Sequence, residues 1–399
     1  MKLKTLFICF LMVFFINIPV WAEQTDTDFV AWKKQLRTQA LKEGLTEEFL
    51  DEVIPHMALL PHVVESDKKQ PEFQLTFWTY LDKTVTPLRI QKGQEMLRLH
   101  HKTLKAAEKK YKVPAKYIVA FWGLESNYGS HKGSIDTLNA LTTLAYDTRR
   151  RTFFTKELLT FLKILQKEKL SDITGSWAGA FGNFQFMPTT FQAYGVDGDG
   201  DGKIDIVNSV PDAIFSAANY LSKMGWNPNV KWGREVKLTK PMSWDDVHND
   251  KQKTLADWEK LGVKPANGAP WPTKMAGVNA DILMPMGVDG PVFLTYSNFK
   301  VIMRWNRSTL YALAVGLLSD AIEQENMTIY AKRQNNPLST IEVKEIQEIL
   351  AKEGYYTSDI DGNVGRGTRE ALRKYQKDHQ LPQDGYASKE ILKKMKGIE

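Results

Sequence analysis

The chain has 399 residues, 43% of them hydrophobic and 25% charged, which is ordinary for a globular protein and long enough for two or three domains. Its net charge of +6 falls to +4 without residues 1–22, an excess that suits an anionic polymer such as cell wall but is too weak and scattered for a nucleic-acid-binding protein. The single cysteine, Cys9, lies within residues 1–22, which excludes disulfides, thiolate catalysis and cysteine metal sites from the remainder.

Residues 1–22 have the pattern of a secretory signal. Lys2 and Lys4 precede an apolar run from Leu6 to Val20, and the following Ala22 is small enough for signal peptidase. An uncleaved membrane anchor is the alternative, but this run is shorter than the roughly 20 apolar residues that span a bilayer. No other run approaches that length. We therefore expect a cleaved signal and no transmembrane segment in the mature chain.

Residues 23–113 are predicted to form a helical scaffold. Apolar residues recur on one stripe of a first helix, at Phe29, Trp32, Leu36 and Ala40. Prolines then divide the region into short helices with extended connections, at positions Pro55, Pro61, Pro71 and Pro87.

The stretch from Phe121 to Gly129 sets one carboxylate, Glu125, among apolar and aromatic residues. The pattern predicts a helix that starts at Pro114, since proline lacks the N–H group that is unpaired at a first helical position. Apolar residues recur at helical spacing up to Glu125, which places its carboxylate along the apolar face. Desolvation there raises the pKa of a carboxyl, as a general acid near neutral pH requires. The alternative is a boundary glutamate that turns outward or pairs with a basic residue.

The segment from Ser176 to Thr190 combines two glycines with several aromatic residues and the amide of Gln185. Glycines let the backbone approach another surface closely, and aromatic rings with a few amides and hydroxyls are typical of a sugar-binding cleft. A tight contact between two helices remains the alternative.

An aspartate-rich segment begins at Asp197 and has the spacing of a calcium loop. Carboxylates occupy positions 1, 3, 5 and 9, Gly202 is at position 6, and Lys203 at position 7 offers its backbone carbonyl. Position 12, usually a bidentate glutamate, is Asn208. Either Asp212, four residues on, closes a distorted loop, or the calcium affinity is weakened. An Asp/Gly-rich turn without metal is the alternative.

Residues 227–290 are rich in Pro, Gly, Trp and Asn, and residues 234–238 alternate like a strand, which predicts a small irregular or β subdomain inserted into the helical body. Residues 304–308 precede a helix, and on their own they indicate helix capping. A polar stretch within residues 327–337 predicts a linker.

Residues 338–399 are predicted to form three short helices around one core. Ser339 and Glu342 form a capping box at the start of the first helix, and Asp361-Gly362 and Asp384-Gly385 mark turns before the later helices. The physical pattern alone gives this unit no ligand.

Taken together, these motifs resemble the membrane-bound lytic murein transglycosylase B family over about residues 28–326. The resemblance is carried, in family order, by Gly123–Gly129, Gly179–Pro188, the aspartate-rich loop and Arg304–Ser308. The C-terminal unit separately resembles the peptidoglycan-binding domain 1 family, through motifs between Ile346 and Gly385.

The resemblance implies which residues form the site. Glu125 would be the sole catalytic acid and base. Five further positions match residues of the sugar cleft: Ser176, Gln185, Tyr220, Asn306 and Tyr311. Trp305 stands where a tyrosine is expected. In the family the aspartate-rich loop binds calcium, and the matching ligands here are Asp197, Asp199, Asp201, the carbonyl of Lys203, and Asp212. No organic cofactor is implied.

The expected architecture is therefore mainly α, in the α+β class. A lysozyme-like catalytic body (residues 114–326, including the inserted subdomain) follows the scaffold, and a wall-binding module (residues 338–399) follows the linker. We expect a periplasmic monomer that acts on peptidoglycan glycan strands.

Most glycosidases use two carboxylates, but no second acid lies near Glu125 in its motif. One glutamate suffices if the substrate's acetamido group stabilises the cationic sugar and its C6 hydroxyl closes a 1,6-anhydro ring. Two alternatives remain. A hydrolytic muramidase would need a second carboxylate, such as Asp136 or Asp147, and a calcium-dependent wall-binding protein would have no activity.

Overall fold

The computed structural model describes residues 21–68, 75–248, 253–323, 329–333 and 336–398. The predicted signal lies outside the described residues up to residue 20, as do residues 327–328 and 334–335 of the predicted linker. Across the described ranges, no helix combines the length and the apolar character needed to cross a membrane.

Six α-helices lie in the described part of residues 21–111. They are α1 (Trp21–Lys42), α2 (Glu47–Val53), α3 (Pro61–Lys68), α4 (Phe77–Thr84), α5 (Pro87–Leu99) and α6 (His101–Tyr111). Pro61 and Pro87 are the first residues of α3 and α5. Thr76 and Thr86 cap α4 and α5, because each side chain accepts a hydrogen bond from a backbone N–H in the first turn. Pro61 and Pro87 therefore divide this region as predicted. Pro55 lies in a short 3₁₀ helix (Ile54–His56), and Pro71 lies outside the described residues.

Helix α7 (Ala115–Ser126) is the central element of the body. Pro114 is its N-cap residue, so the helix begins one residue later than predicted. The prediction of a single apolar face was also too narrow, because α7 is buried continuously from Lys116 to Gly123 and again at Ser126. A helix surrounded by others buries all of its sides. This position makes α7 a rigid support for Glu125, which lies in its last turn.

Further helices complete the body: α8 (Thr137–Tyr146), α9 (Arg151–Glu168), α10 (Pro188–Tyr194), α11 (Val210–Lys223), α14 (Ser297–Trp305) and α15 (Thr309–Ile322). Two short strands, β1 (Ile135–Asp136) and β2 (Thr174–Gly175), pair antiparallel beside them.

A five-stranded antiparallel sheet interrupts this helical body, as predicted. Its strands are β3 (Gly233–Leu238), β4 (Lys253–Thr254), β5 (Val263–Pro265), β6 (Asn279–Leu283) and β7 (Val292–Thr295), in the order β4-β6-β7-β3-β5. Two short helices, α12 (Trp244–His248) and α13 (Leu255–Lys260), lie between the strands in sequence. The sheet continues beyond residue 290, the predicted limit. Strand β7 is buried at every residue and therefore lacks the alternation that marks a half-exposed strand.

The C-terminal module contains α16 (Thr340–Lys352), α17 (Arg366–Asp378) and α18 (Lys389–Met395) around its own apolar core. The predicted capping box of Ser339 and Glu342 is present. The module contacts the body where the backbone N–H of Val288 donates to Asp384 Oδ2 at 3.1 Å. The predicted mainly α architecture, with a small sheet and a three-helix C-terminal unit, is confirmed.

Candidate active site

The chain turns sharply after Glu125. Asn127, Tyr128 and Gly129 all have left-handed backbone conformations, with φ of 48°, 60° and 82°. The hydroxyl of Ser126 accepts from Gly129 N at 2.9 Å and donates to the carbonyl of Asn183 at 2.6 Å. These bonds close the turn and tie it to the Gly179–Pro188 segment, so the end of α7 is fixed on both sides.

Two side chains donate hydrogen bonds to the same oxygen of Glu125. The indole Nε1 of Trp305 lies 2.9 Å from Glu125 Oε1, and the hydroxyl of Tyr311 lies 2.5 Å from it. The end of α14 carries Trp305 and the first turn of α15 carries Tyr311, so the short connection between these helices brings both donors to the carboxylate. Because an indole can only donate, Oε1 acts as an acceptor in this arrangement.

Aromatic rings hold Trp305 in place. Its ring centre lies 4.6 Å from that of Phe121, 4.9 Å from Tyr220 and 5.3 Å from Phe186. The hydroxyl of Tyr220 donates to the carbonyl of Arg304 at 2.9 Å, which fixes the residue before Trp305 as well. The orientation of the indole N–H toward Glu125 is therefore set by packing.

A cleft of about 680 Å³ opens beside Glu125, and it is lined by α4, α5 and the turn after α7. Glu125 is the only carboxylate among the described residues that line it. The two acids considered for a hydrolytic mechanism have other roles. Asp136 caps α8 by accepting from Asn139 N at 2.7 Å, and Asp147 accepts from Arg149 N at 2.9 Å.

The structure distributes the predicted sugar-contacting residues around this centre. Tyr311 contacts Glu125 directly, and Tyr220 supports it through Trp305. The hydroxyl of Ser176 accepts from Ala180 N at 3.1 Å and closes a turn. The side chains of Gln185 and Asn306 also hydrogen-bond the backbone. Gln185 donates to the carbonyls of Lys132 (2.8 Å) and Gly182 (3.0 Å), and Asn306 Oδ1 accepts from Ser308 N (2.9 Å).

The aspartate-rich loop gathers three carboxylates. Oxygens of Asp197, Asp199 and Asp201 lie within 4.8 Å of one another. Backbone N–H groups of Gly202 and Gly200 hydrogen-bond Asp197 and hold the pKa of its carboxyl below the ordinary value. Three converging carboxylates form a donor set of the kind that a hard cation such as calcium binds.

Asp212 has a different position from the other three acids. It is buried in the first turn of α11, where Oδ1 accepts from Gly198 N and Oδ2 accepts from Asp205 N, both at 2.7 Å. Burial raises the pKa of this carboxyl above its ordinary value. Asn208 donates to Asp205 Oδ2 at 2.9 Å. Asp212 thus joins the two ends of the loop through their backbone.

Asn183 connects this loop to α7. Its side chain accepts from Trp122 Nε1 at 3.1 Å and donates to the carbonyls of Ile206 and Val207 at 3.0 and 3.1 Å. We did not predict a role for Asn183 or for Trp305, although both lie within motifs that we had identified. A buried amide beside glycines was the available signal for Asn183, whereas nothing local indicated the partner of Trp305.

Comparison with known proteins identifies relatives of both parts of the chain. A family model described as the transglycosylase SLT domain matches residues 28–320, and a model described as a putative peptidoglycan binding domain matches residues 339–395. Membrane-bound lytic murein transglycosylase B of Escherichia coli (strain K12) is 30% identical over 294 residues, which covers 70% of this chain and 79% of that protein.

Solved structures are also similar. Pseudomonas aeruginosa SltB3 in complex with NAG-anhNAM-pentapeptide is 40% identical with a TM-score of 0.85, covering 92% of this chain and 99% of that one. The Escherichia coli lytic transglycosylase SLT35 in complex with calcium is 28% identical with a TM-score of 0.62, covering 74% of this chain and 94% of that one.

Proposed function

The chain belongs to the transglycosylase SLT domain family and is a lytic transglycosylase of peptidoglycan, and we propose that Glu125 performs both proton transfers of its reaction. The observation that carries this proposal is that Glu125 is the only carboxylate lining the cleft in the described part of the chain. A two-carboxylate hydrolysis needs a second acid across the scissile bond, and neither Asp136 nor Asp147 lines the cleft.

The two donors on Glu125 define which oxygen carries the proton. Trp305 and Tyr311 both donate to Oε1, so Oε1 is engaged as an acceptor. The transferable proton therefore belongs on Oε2. Holding one oxygen by two fixed donors also keeps the carboxyl in a single orientation through both steps, which is the positional requirement of acid and base catalysis.

The reaction then proceeds in two steps at the bond between N-acetylmuramic acid and N-acetylglucosamine. Glu125 protonates the glycosidic oxygen as that bond breaks, and the acetamido oxygen of the muramic acid bonds to C1 and stabilises the cationic sugar. The ionised Glu125 next takes the proton from the C6 hydroxyl. O6 attacks C1, the acetamido oxygen leaves, and a 1,6-anhydro ring closes without water. We propose Ser176, Gln185 and Asn306 as additional sugar contacts, beside Tyr220 and Tyr311.

We expect digestion of purified peptidoglycan in ¹⁸O-labelled water to give muropeptides that are one water molecule lighter than hydrolysis products and carry no label. Water takes no part in ring closure, whereas a muramidase adds one labelled oxygen to each new end. Mass spectrometry of the products measures both properties. Labelled, reducing ends would establish a hydrolase and refute this mechanism.

We propose that the aspartate-rich loop binds one calcium ion. Carboxylates of Asp197, Asp199 and Asp201 and the carbonyl of Lys203 would hold it, with Asp212 bracing the loop. The close grouping of the three carboxylates supports this site, as does the calcium in the related SLT35 structure. The bound ion would neutralise the clustered negative charge. Through Asn183, the loop would then stabilise the turn that follows Glu125.

Calcium is expected to raise the melting temperature of the full chain by roughly 5 °C when its concentration is a hundred times the Kd, because it binds only the folded loop. Differential scanning calorimetry with calcium and with a chelator measures this shift. The variant Asp199→Asn should lose most of the response. As a control, Asp172→Asn changes an exposed aspartate outside the loop and should keep it. An equal melting temperature with calcium and with chelator would refute the proposed metal site.

We propose that the enzyme is a monomer in the periplasm, exported by the signal in residues 1–22. This location is supported by its peptidoglycan substrate and by the composition of those residues. The C-terminal module, matched by the peptidoglycan binding family model, would hold the enzyme on the wall while the body cleaves it.

A further inference from the structure

One wall of the cleft beside Glu125 is positively charged. Lys83, Arg89 and Lys92 line it, from the end of α4 and the first turns of α5. Arg89 Nη1 donates to the carbonyls of Lys83 and Thr84 at 3.1 and 2.5 Å, which fixes the connection between the two helices. The hydroxyl of Tyr128 in turn donates to the carbonyl of Arg89 at 2.7 Å. The backbone between α4 and α5, which carries these cations, is therefore tied to the turn that follows Glu125.

Neighbouring acids leave this wall with an excess of positive charge. Asp82 pairs with Arg333, and Glu95 pairs with Lys92 at 3.0 Å, but neither acid lines the cleft. Lys83 makes no ion pair with any residue that the structure describes. Lys92 thus shares its charge with Glu95, and an anionic group that enters the cleft would meet beside it the charges of Lys83 and Arg89, which are unpaired among the described residues.

The neutral parts of the substrate give this charge no partner. N-acetylglucosamine is uncharged, and the lactyl carboxyl of a peptide-bearing muramic acid is consumed in an amide bond. The remaining anionic groups are the carboxylates of the stem peptide. We propose that the wall formed by Lys83, Arg89 and Lys92 binds these carboxylates, so that the enzyme prefers muramic acid residues that carry a peptide. This inference rests on the proposed function of the cleft.

The same wall offers an apolar contact. Leu88, which lies between the cations in sequence and also lines the cleft, is 75% exposed. A stem peptide contains methyl groups as well as carboxylates, so a leucine flanked by cations matches both. Such exposed charges act mainly through long-range attraction, which added salt screens.

The test compares two tetrasaccharides of alternating N-acetylglucosamine and N-acetylmuramic acid: one carries pentapeptides, and the other is peptide-free, with each lactyl carboxyl capped as a neutral N-methylamide. We expect Lys83→Met and Lys92→Met each to raise the KM for the peptide-bearing compound about two- to fivefold, the range of a single exposed charge contact. The KM for the peptide-free compound should not change. Raising the salt concentration with unaltered enzyme should also raise the first KM and leave the second constant.

Lys105→Met is the matched control. Lys105 lies on α6 and pairs with Glu108 three residues on at 3.0 Å, the arrangement that Lys92 forms with Glu95, but it does not line the cleft. It should leave both KM values unchanged. Equal losses on both substrates would mean that the cations act on Glu125 or on the fold, and unchanged values would mean that they bind nothing; either result overturns the inference. Failure of the unaltered enzyme to form anhydro products would instead refute the proposed function.

Discussion

Glu125→Gln is expected to lower kcat by at least about 10³-fold, since the proposed mechanism assigns both the acid and the base to this residue and each such role contributes about 10²–10⁴. The variant keeps the shape of the side chain, and its Oε1 can still accept from Trp305 and Tyr311. The melting temperature and the binding to sacculi should therefore be retained. Anhydro-muropeptide release, measured by mass spectrometry, reports the loss.

Glu157→Gln provides the matched control. Glu157 is 2% exposed and also has two donors, with Oε2 accepting from Thr189 N at 2.9 Å and Oε1 from Thr189 Oγ1 at 2.7 Å. Loss of its charge should lower the melting temperature while the activity per folded molecule persists. The two variants should thus separate catalysis from stability. Wild-type activity in Glu125→Gln would show that another group transfers the proton.

Local patterns were sufficient for most of the architecture. Pro61 and Pro87 marked the starts of two early helices, and the capping box of Ser339 and Glu342 marked the start of the C-terminal module. The start of the central helix was predicted to within one residue because Pro114 marks the beginning of a helix. These features depend on neighbours in sequence, and the physical rules that connect them to structure are equally local.

The surroundings of Glu125 could not be predicted in the same way. Its donors lie 180 and 186 residues further along the chain, and only the packing of α14 and α15 against α7 brings them to one oxygen. Trp305 departs from the tyrosine that the family resemblance leads one to expect, yet its indole supplies a hydrogen bond to the carboxylate. Similarly, the spacing of the aspartates located the loop but could not show that Asp212 accepts from the backbone at both of its ends.

Helices α7 and α15 run antiparallel, and a buried ion pair lies at the opposite end of their contact from the active site. Lys116 Nζ donates to Glu323 Oε2 at 2.5 Å and lies 3.5 Å from Asp320 Oδ1. Nine residues separate Lys116 from Glu125 on one helix, and nine separate Tyr311 from Asp320 on the other. The contact of Lys116 with Asp320 and the contact of Glu125 with Tyr311 are therefore the same distance apart along both helices. The ion pair fixes the register of α15 on α7 that brings the Tyr311 hydroxyl to Glu125.

The carboxylate of Asp320 also joins this contact to the sheet. Its Oδ2 accepts from Trp232 Nε1 at 2.9 Å, and Trp232 packs against Gly316 on α15 so closely that a side chain at that glycine would clash with the indole. Asp320 consequently cannot turn toward solvent without breaking a second bond. Removal of Lys116 alone would leave a nearly buried carboxylate without its cation.

Lys116→Met is therefore expected to destabilise the chain by about 2–3 kcal/mol, below the 3–5 kcal/mol of a fully buried pair because Glu323 is half exposed. It should also lower kcat about tenfold or more with a smaller change in KM, since a slip along α15 displaces Tyr311 from Glu125. Thermal unfolding and steady-state kinetics measure the two effects. As a control, Leu162→Ala creates a cavity beside α9 and should lower the free energy of unfolding by a similar amount without lowering kcat. Adding Asp320→Asn to Lys116→Met should restore part of the stability and part of kcat. Equal kcat values for Lys116→Met and Leu162→Ala would assign the ion pair to stability alone.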